Sequence, residues 1–237
     1  MLKVNHVSKR YEDGTNAITD INLHIQSGDI YGFIGSNGAG KSTMIKSIVG
    51  IHPFNEGEIW IDGYSMRTDP VRCKKRIAFI PDNPDIYEHL TGLQYIHFLA
   101  DIFEVPFAKR KVSIEKYSTI FEMTNKLHNS IASYSHGMKQ RIAIIAALVH
   151  QPALFILDEP FVGLDPTASF ELKRVMSEHA ENGGAIFFST HVLEVAQKLC
   201  NKVAIIHKGK LVKNGCMDEI AGSKSLEEIF MEVRNDT

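Results

Sequence analysis

Long apolar runs are missing from this chain. Its most apolar stretch, residues 142–149, is far shorter than the roughly 20 residues a membrane-crossing helix needs. If the protein works at a membrane, a partner must hold it there. The opening residues, Met1-Leu2-Lys3-Val4-Asn5-His6-Val7, carry no charged segment followed by an apolar one, so a secretory leader is not expected. Cysteine is scarce. Cys73, Cys200 and Cys216 are scattered and form no C-x-x-C pair; three unpaired thiols suit a reducing compartment, with space-filling as their expected role. The eleven histidines are dispersed without metal-ligand spacing. A formal net charge of −2 gives no electrostatic reason to bind nucleic acid, and none is expected as a partner. Internal repeats, low-complexity tracts and linkers rich in Pro, Gly or Ser are absent too. What remains for 237 residues, 44% of them hydrophobic, is one well-buried globular unit.

Short β runs and helical segments alternate along it. Residues 2–7, 17–25, 30–34, 58–61 and 77–80 read as strands, with Asp62-Gly63 forming a turn. Residues 42–49 read as a helix closed by Gly50. From about residue 91 to 126 the short β runs give way to helix-like sequence, which reads as an inserted helical lobe. Three further strands are expected at 153–157, 185–189 and 203–207, separated by helical segments. Strands that alternate with helices imply an α/β fold built on a largely parallel sheet.

Chemistry concentrates at two places. Gly35-Ser36-Asn37-Gly38-Ala39-Gly40-Lys41-Ser42 matches G-x-x-x-x-G-K-[ST], between an expected buried strand and an expected helix. Glycines let consecutive backbone N–H groups curl inward into an anion nest at a helix N-terminus. Lys41 can then reach the outer phosphates of a nucleotide and the Ser42 hydroxyl can ligate Mg²⁺, with Thr43 following in the same turn. The second place is Leu154-Phe155-Ile156-Leu157-Asp158-Glu159, an apolar strand ending in two carboxylates. Its end should lie beside the phosphate loop, at the carboxyl edge of the sheet. There Asp158 would hold Mg²⁺ through water, and Glu159 would orient and deprotonate an attacking water.

Around these two motifs stand three more. Tyr134-Ser135-His136-Gly137-Met138-Lys139-Gln140-Arg141 resembles the L-S-G-G-Q signature of ATP-binding-cassette (ABC) ATPases. Gly163-Leu164-Asp165 follows as the D-loop does, and Ser189-Thr190-His191 ends a strand as the switch histidine does. The resemblance covers roughly residues 2–215, with five motifs in order. It implies an ABC cassette over residues 1–237: a RecA-like parallel core, an antiparallel β subdomain, and a helical subdomain inserted at about 84–150. It also implies an ATPase using ATP and Mg²⁺, with Tyr11 stacking on adenine and His191 contacting the γ-phosphate and the water. Ser135 would cap the next helix, leaving its positive end, with Ser135 and Gly137, to the γ-phosphate held by a second copy in a homodimer.

The sequence departs from the pattern at three positions. His136 and Met138 replace the usual glycine and glutamine, and Asp82, in Ile80-Pro81-Asp82, stands where a glutamine usually links Mg²⁺ to the membrane partner. The resemblance further implies a separately encoded transmembrane permease, gripped by the segment from Asp82 to Leu90 through Ile86, Tyr87 and Leu90, unless those three are core. Ser-His-Gly-Met-Lys-Gln with Pro81 and Pro84 resembles bacterial exporter-type subunits. The implied location is cytoplasmic, on the inner face of the cell membrane through the permease. Two other readings compete. A cytosolic ABC protein acting on ribosomes or DNA usually brings a second cassette or a long coiled coil. A degenerate regulatory cassette is suggested by Asp82, His136 and Met138 but opposed by Lys41, Asp158, Glu159 and His191.

Overall fold

The computed structural model describes residues 1–84, 86–222 and 224–235. Residue 85 of the segment expected to meet a permease, and residues 223, 236 and 237 of the expected single cassette, lie outside the described residues. The first half runs β1 (Leu2–Arg10), β2 (Asn16–Ile25), β3 (Ile30–Ile34), α1 (Lys41–Ile48), β4 (Glu56–Ile61), β5 (Tyr64–Ser65), α2 (Pro70–Lys74) and β6 (Ile77–Ile80). Then come α3 (Gly92–Ile102), α4 (Phe107–Ile120), α5 (His136–Val149), β7 (Leu154–Asp158), α6 (Pro166–Glu181) and β8 (Ala185–Thr190). The chain closes with α7 (Leu193–Leu199), β9 (Lys202–His207), β10 (Lys210–Cys216), α8 (Met217–Ala221) and α9 (Leu226–Asn235).

Two sheets form. The antiparallel one has the order β2-β1-β4-β5, and the larger one the order β10-β9-β3-β8-β7-β6. In the larger sheet β9, β3, β8, β7 and β6 run parallel, and only β10 is antiparallel to its neighbour. Its strands read as continuous apolar runs because both faces are buried. Alternate side chains serve different cores: Leu154, Ile156, Ala185, Phe187, Ala204 and Ile206 pack towards α1 and the antiparallel sheet. Phe155, Leu157, Ile186, Phe188, Val203 and Ile205 pack towards α5, α6 and the helical lobe. A period of two along a strand produces this division directly.

The helical lobe starts at a strong boundary. Thr91 accepts a hydrogen bond from the Gln94 amide at 3.2 Å while Gln94 Oε1 accepts from the Thr91 amide at 2.9 Å, a reciprocal capping box that fixes the first turn of α3. α5 packs against α3, α4 and β6 alike, so one helix joins the lobe to the sheet. Cys73 and Cys200 fill space in the interior as expected, but Cys216 does not. It sits exposed at the end of β10, an edge strand with one paired side.

Candidate active site

Register places the chemistry. Ile34 pairs with Thr190 and Asp158 with Ser189, so the ends of β3, β8 and β7 lie level and their following loops converge. Ile80 pairs with Leu157, which brings Asp82 to the same edge. These loops enclose a cleft of about 500 Å³ lined by Tyr11, Ser36, Asn37, Gly38, Gly40, Lys41, Ser42, Thr43, Asp82 and Glu159. Thr15, Asn16, Ala17, Lys208 and Gly209 complete it. Sequence reasoning missed these five; they come from the β1–β2 turn with the start of β2 and from the β9–β10 turn, and no motif marks them.

The phosphate loop has no freedom to carry a side chain at its last glycine. Gly40 has φ +109°, and a Cβ there would stand 2.7 Å from the Ala17 carbonyl oxygen. Gly35 and Ala39 are buried beneath the loop, while Asn37 and Gly38 face outward. Lys41 begins α1 and is only 6% exposed. Its ammonium donates to the Gly35 carbonyl at 2.8 Å and to that of Ser36 at 3.4 Å, and lies 3.3 Å from Glu159 Oε1. Two hydrogen bonds and one ion pair thus hold the buried cation, which could not stay charged there unpaired.

Glu159 sits just past β7 with φ +49°, a left-handed conformation uncommon for a residue with a Cβ. Its Oε2 accepts from the His191 amide at 3.3 Å and lies 2.9 Å from His191 Nδ1. A carboxylate only accepts, so Nδ1 carries the proton and a neutral imidazole leaves Nε2 as acceptor. The two ends of the Glu159 carboxylate are thus held by a buried lysine and an exposed histidine. Asp158 lies below, 4% exposed and outside the cleft lining, with Oδ1 accepting from the Ser189 hydroxyl.

Tyr11, in the β1–β2 turn, is 37% exposed and its hydroxyl meets Thr43 Oγ1 at 3.1 Å, which fixes the ring beside the phosphate loop. The side chains that could hold a divalent cation offer hard oxygens: the exposed Ser42 hydroxyl in the first turn of α1, Asp158, and Asp82 across the cleft. Among the described residues no three His, Cys, Asp or Glu side chains converge on one point. A hydroxyl with one or two carboxylates suits an ion that completes its shell from phosphate and water.

Ser135 and Gly137 are not in this cleft. Ser135 caps α5 by accepting from the Met138 amide at 3.3 Å, and the helix end is exposed. α5 is instead tied to the turn after Glu159. Gln140 Nε2 donates to the Pro160 carbonyl at 2.8 Å, and Arg141 pairs with Asp165, the cap of α6. His136 lies over Gly163, where a Cβ would meet its ring at 2.6 Å. The segment expected to meet a permease divides. Ile86 is core, Leu90 is partly buried, and Tyr87 is 52% exposed.

With this geometry in hand, the relatives are consistent. The sequence model of the ABC transporter family matches residues 18–162. The chain is 29% identical over 233 residues to the ABC transporter ATP-binding protein NatA of Bacillus subtilis, covering 97% of this chain and 95% of that one. It is 32% identical over 221 residues to the bacitracin transport ATP-binding protein BcrA of Enterococcus faecalis, covering 93% and 70%. A solved ATP-binding subunit of an ABC transporter superposes with TM-score 0.95 at 33% identity, covering 99% of each chain. The chain belongs to the ABC transporter family. It is an ATP-binding subunit with the cassette fold, and its enzymatic class is ATPase.

Proposed function

We propose that this subunit homodimerises around two ATP molecules and uses their hydrolysis to drive a separately encoded membrane permease, in the direction of export. Among the described residues no helix is long and apolar enough to cross a membrane, so a permease would hold the subunit at the inner face of the cell membrane. One relative is named for the transport of bacitracin, which supports a transport role for this subunit.

The observation that carries the catalytic reading is the chain Lys41–Glu159–His191 at the mouth of the phosphate loop. The amides of residues 35–43 would cradle the phosphates, with Tyr11 against the adenine. A γ-phosphate offers Lys41 a better partner than two carbonyls, because a charge-assisted bond to phosphate is stronger. Moving Lys41 releases Glu159 Oε1 to face the water. As the water oxygen attacks phosphorus, its proton passes to Glu159 and the bond to the ADP oxygen breaks. His191 keeps the carboxylate aimed through Oε2. Ser42 and Asp158, with Asp82 at the cleft, would hold Mg²⁺, which supplies charge neutralisation of the phosphates when bound. Ser135 and Gly137, which do not line their own cleft, would serve the γ-phosphate of the second copy.

The test is Glu159→Gln. The isolated subunit should hydrolyse ATP slowly, and the variant should lose on the order of 10²–10⁴-fold in turnover while still binding ATP. It should also accumulate an ATP-bound dimer on size exclusion. Unchanged turnover would assign the base to another group.

A further inference from the structure

The residue that sets the two carboxylates of β7 in place belongs to the neighbouring strand. We propose that Ser189 is a positioning residue for hydrolysis, acting on Asp158 and Glu159 together through one hydroxyl. Ser189 is fully buried at the end of β8, opposite Asp158 in the parallel register. Its Oγ donates to Asp158 Oδ1 and accepts from the Glu159 amide at 3.1 Å. The same amide also reaches the Ser189 carbonyl at 3.2 Å. The direction of both side-chain bonds is forced: a carboxylate can only accept and an amide N–H can only donate, so one hydroxyl hydrogen and one lone pair are committed without ambiguity.

The consequence is local and specific. Glu159 adopts its left-handed conformation, φ +49°, at the point where β7 ends, and such a backbone persists only when its surroundings over-determine it. Ser189 fixes the root of Glu159 through the amide, and two residues on His191 fixes the tip through Oε2. Asp158 is oriented by the same hydroxyl, so the metal-side carboxylate and the base-side carboxylate share one anchor. Alanine at 189 would leave Asp158 Oδ1 without this donor and leave the Glu159 amide with only the carbonyl. The bonds of Lys41 to the Gly35 and Ser36 carbonyls would remain in place.

This rests on Glu159 being the base, so both ideas are tested side by side in the full-length protein. In Ser189→Ala, kcat for ATP hydrolysis should fall by at least about 10-fold while KM and the affinity for a fluorescent ATP analogue stay within about twofold. Ser189→Thr, which keeps the hydroxyl, should recover most of kcat. Adding Ser189→Ala to Glu159→Gln should cause little further loss, because residues acting as one unit are not additive. If Ser189→Ala does not fold, Ser189→Cys, of similar volume and a much weaker donor, takes its place in the same assays. Wild-type kcat in the hydroxyl-free variant would overturn the proposal, as would a parallel fall of kcat, ATP affinity and melting temperature, which marks a purely structural role. Full activity in Glu159→Gln with a damaged Ser189→Ala would instead remove the base assignment.

Discussion

At the scale of single residues, burial holds His150 uncharged at a pH where an exposed histidine takes a proton. His150 ends α5, and its ring stacks flat on Phe103 with centroids 3.7 Å apart. Loss of water around the imidazole lowers its pKa from 6.5 to about 4. Between those values the unfolded chain holds a proton that the folded chain does not, so folding stability rises with pH across the window and falls on acidification. The loss from pH 6.5 to 4 is up to about 3 kcal/mol at 1.36 kcal/mol per unit. His150→Phe keeps a ring against Phe103 and cannot titrate. Denaturant unfolding of both proteins at pH 7 and pH 4.5 should show wild type losing more stability than the variant over that interval; equal losses would mean the imidazole is solvated in solution. His150 has no part in any motif. Its behaviour follows from the packing of two helix ends, and nothing local in the sequence announces it.

At the scale of elements, α3 presents an apolar stripe without a covering neighbour. Phe98 and Ile102, one turn apart, are 40% and 52% exposed, and Tyr87 packs edge-on against Phe98 at 5.4 Å. Beside them a groove of about 360 Å³ is lined by Ile51, Phe79, Leu99, Phe103 and Ala146. Exposed apolar patches of this kind are typical of interaction surfaces, and the proposed permease is the partner this one would meet. Tyr87→Ala should therefore lose pulldown of the cognate permease while its basal ATPase and melting temperature remain; a joint loss of activity and stability would make Tyr87 part of the fold. The sequence could offer Ile86, Tyr87 and Leu90 only as a group, because periodicity does not separate a core run from a docking run. Strands and their order of motifs were legible because period-two runs, glycines and terminal carboxylates are local signals. The phosphate loop, Asp158 and Glu159 were legible for the same reason. Lys208 and the Ser189 anchor were not, since β9 and β8 reach the site by pairing with β3 and β7, far away in sequence. The contacts of α5 with the Pro160–Asp165 turn are likewise set by tertiary packing and leave no local trace.

At the scale of the whole molecule the residues of the proposed site stand at two separate places on one chain. Lys41 and Ser42 line the cleft, whereas Ser135 and Gly137 stand on the exposed end of α5 and contribute nothing to that cleft. If a second copy supplies them, Lys41 and Ser135 serve the same ATP from opposite subunits. A Lys41→Ala chain has a damaged phosphate loop and a sound α5 end. A Ser135→Arg chain has the reverse fault, because it loses the cap bonded to the Met138 amide and places a bulky cation at the helix end. Alone, each variant forms dimers in which both composite sites are damaged, so each should be nearly inactive, and Lys41→Ala should bind ATP weakly as well. Mixed, the two chains can form a heterodimer in which one site receives an intact Lys41 and an intact Ser135. Random pairing makes about half of the dimers mixed, each with one good site, so independent sites would return roughly a quarter of wild-type activity. Strict coupling between the two sites lowers that figure, which leaves recovery above either variant as the measured criterion. Heterodimer formation is followed with two different affinity tags on the same samples. A mixture no more active than its parts, with tagged heterodimers present, would place the whole reaction within a single chain and leave the exposed end of α5 outside it.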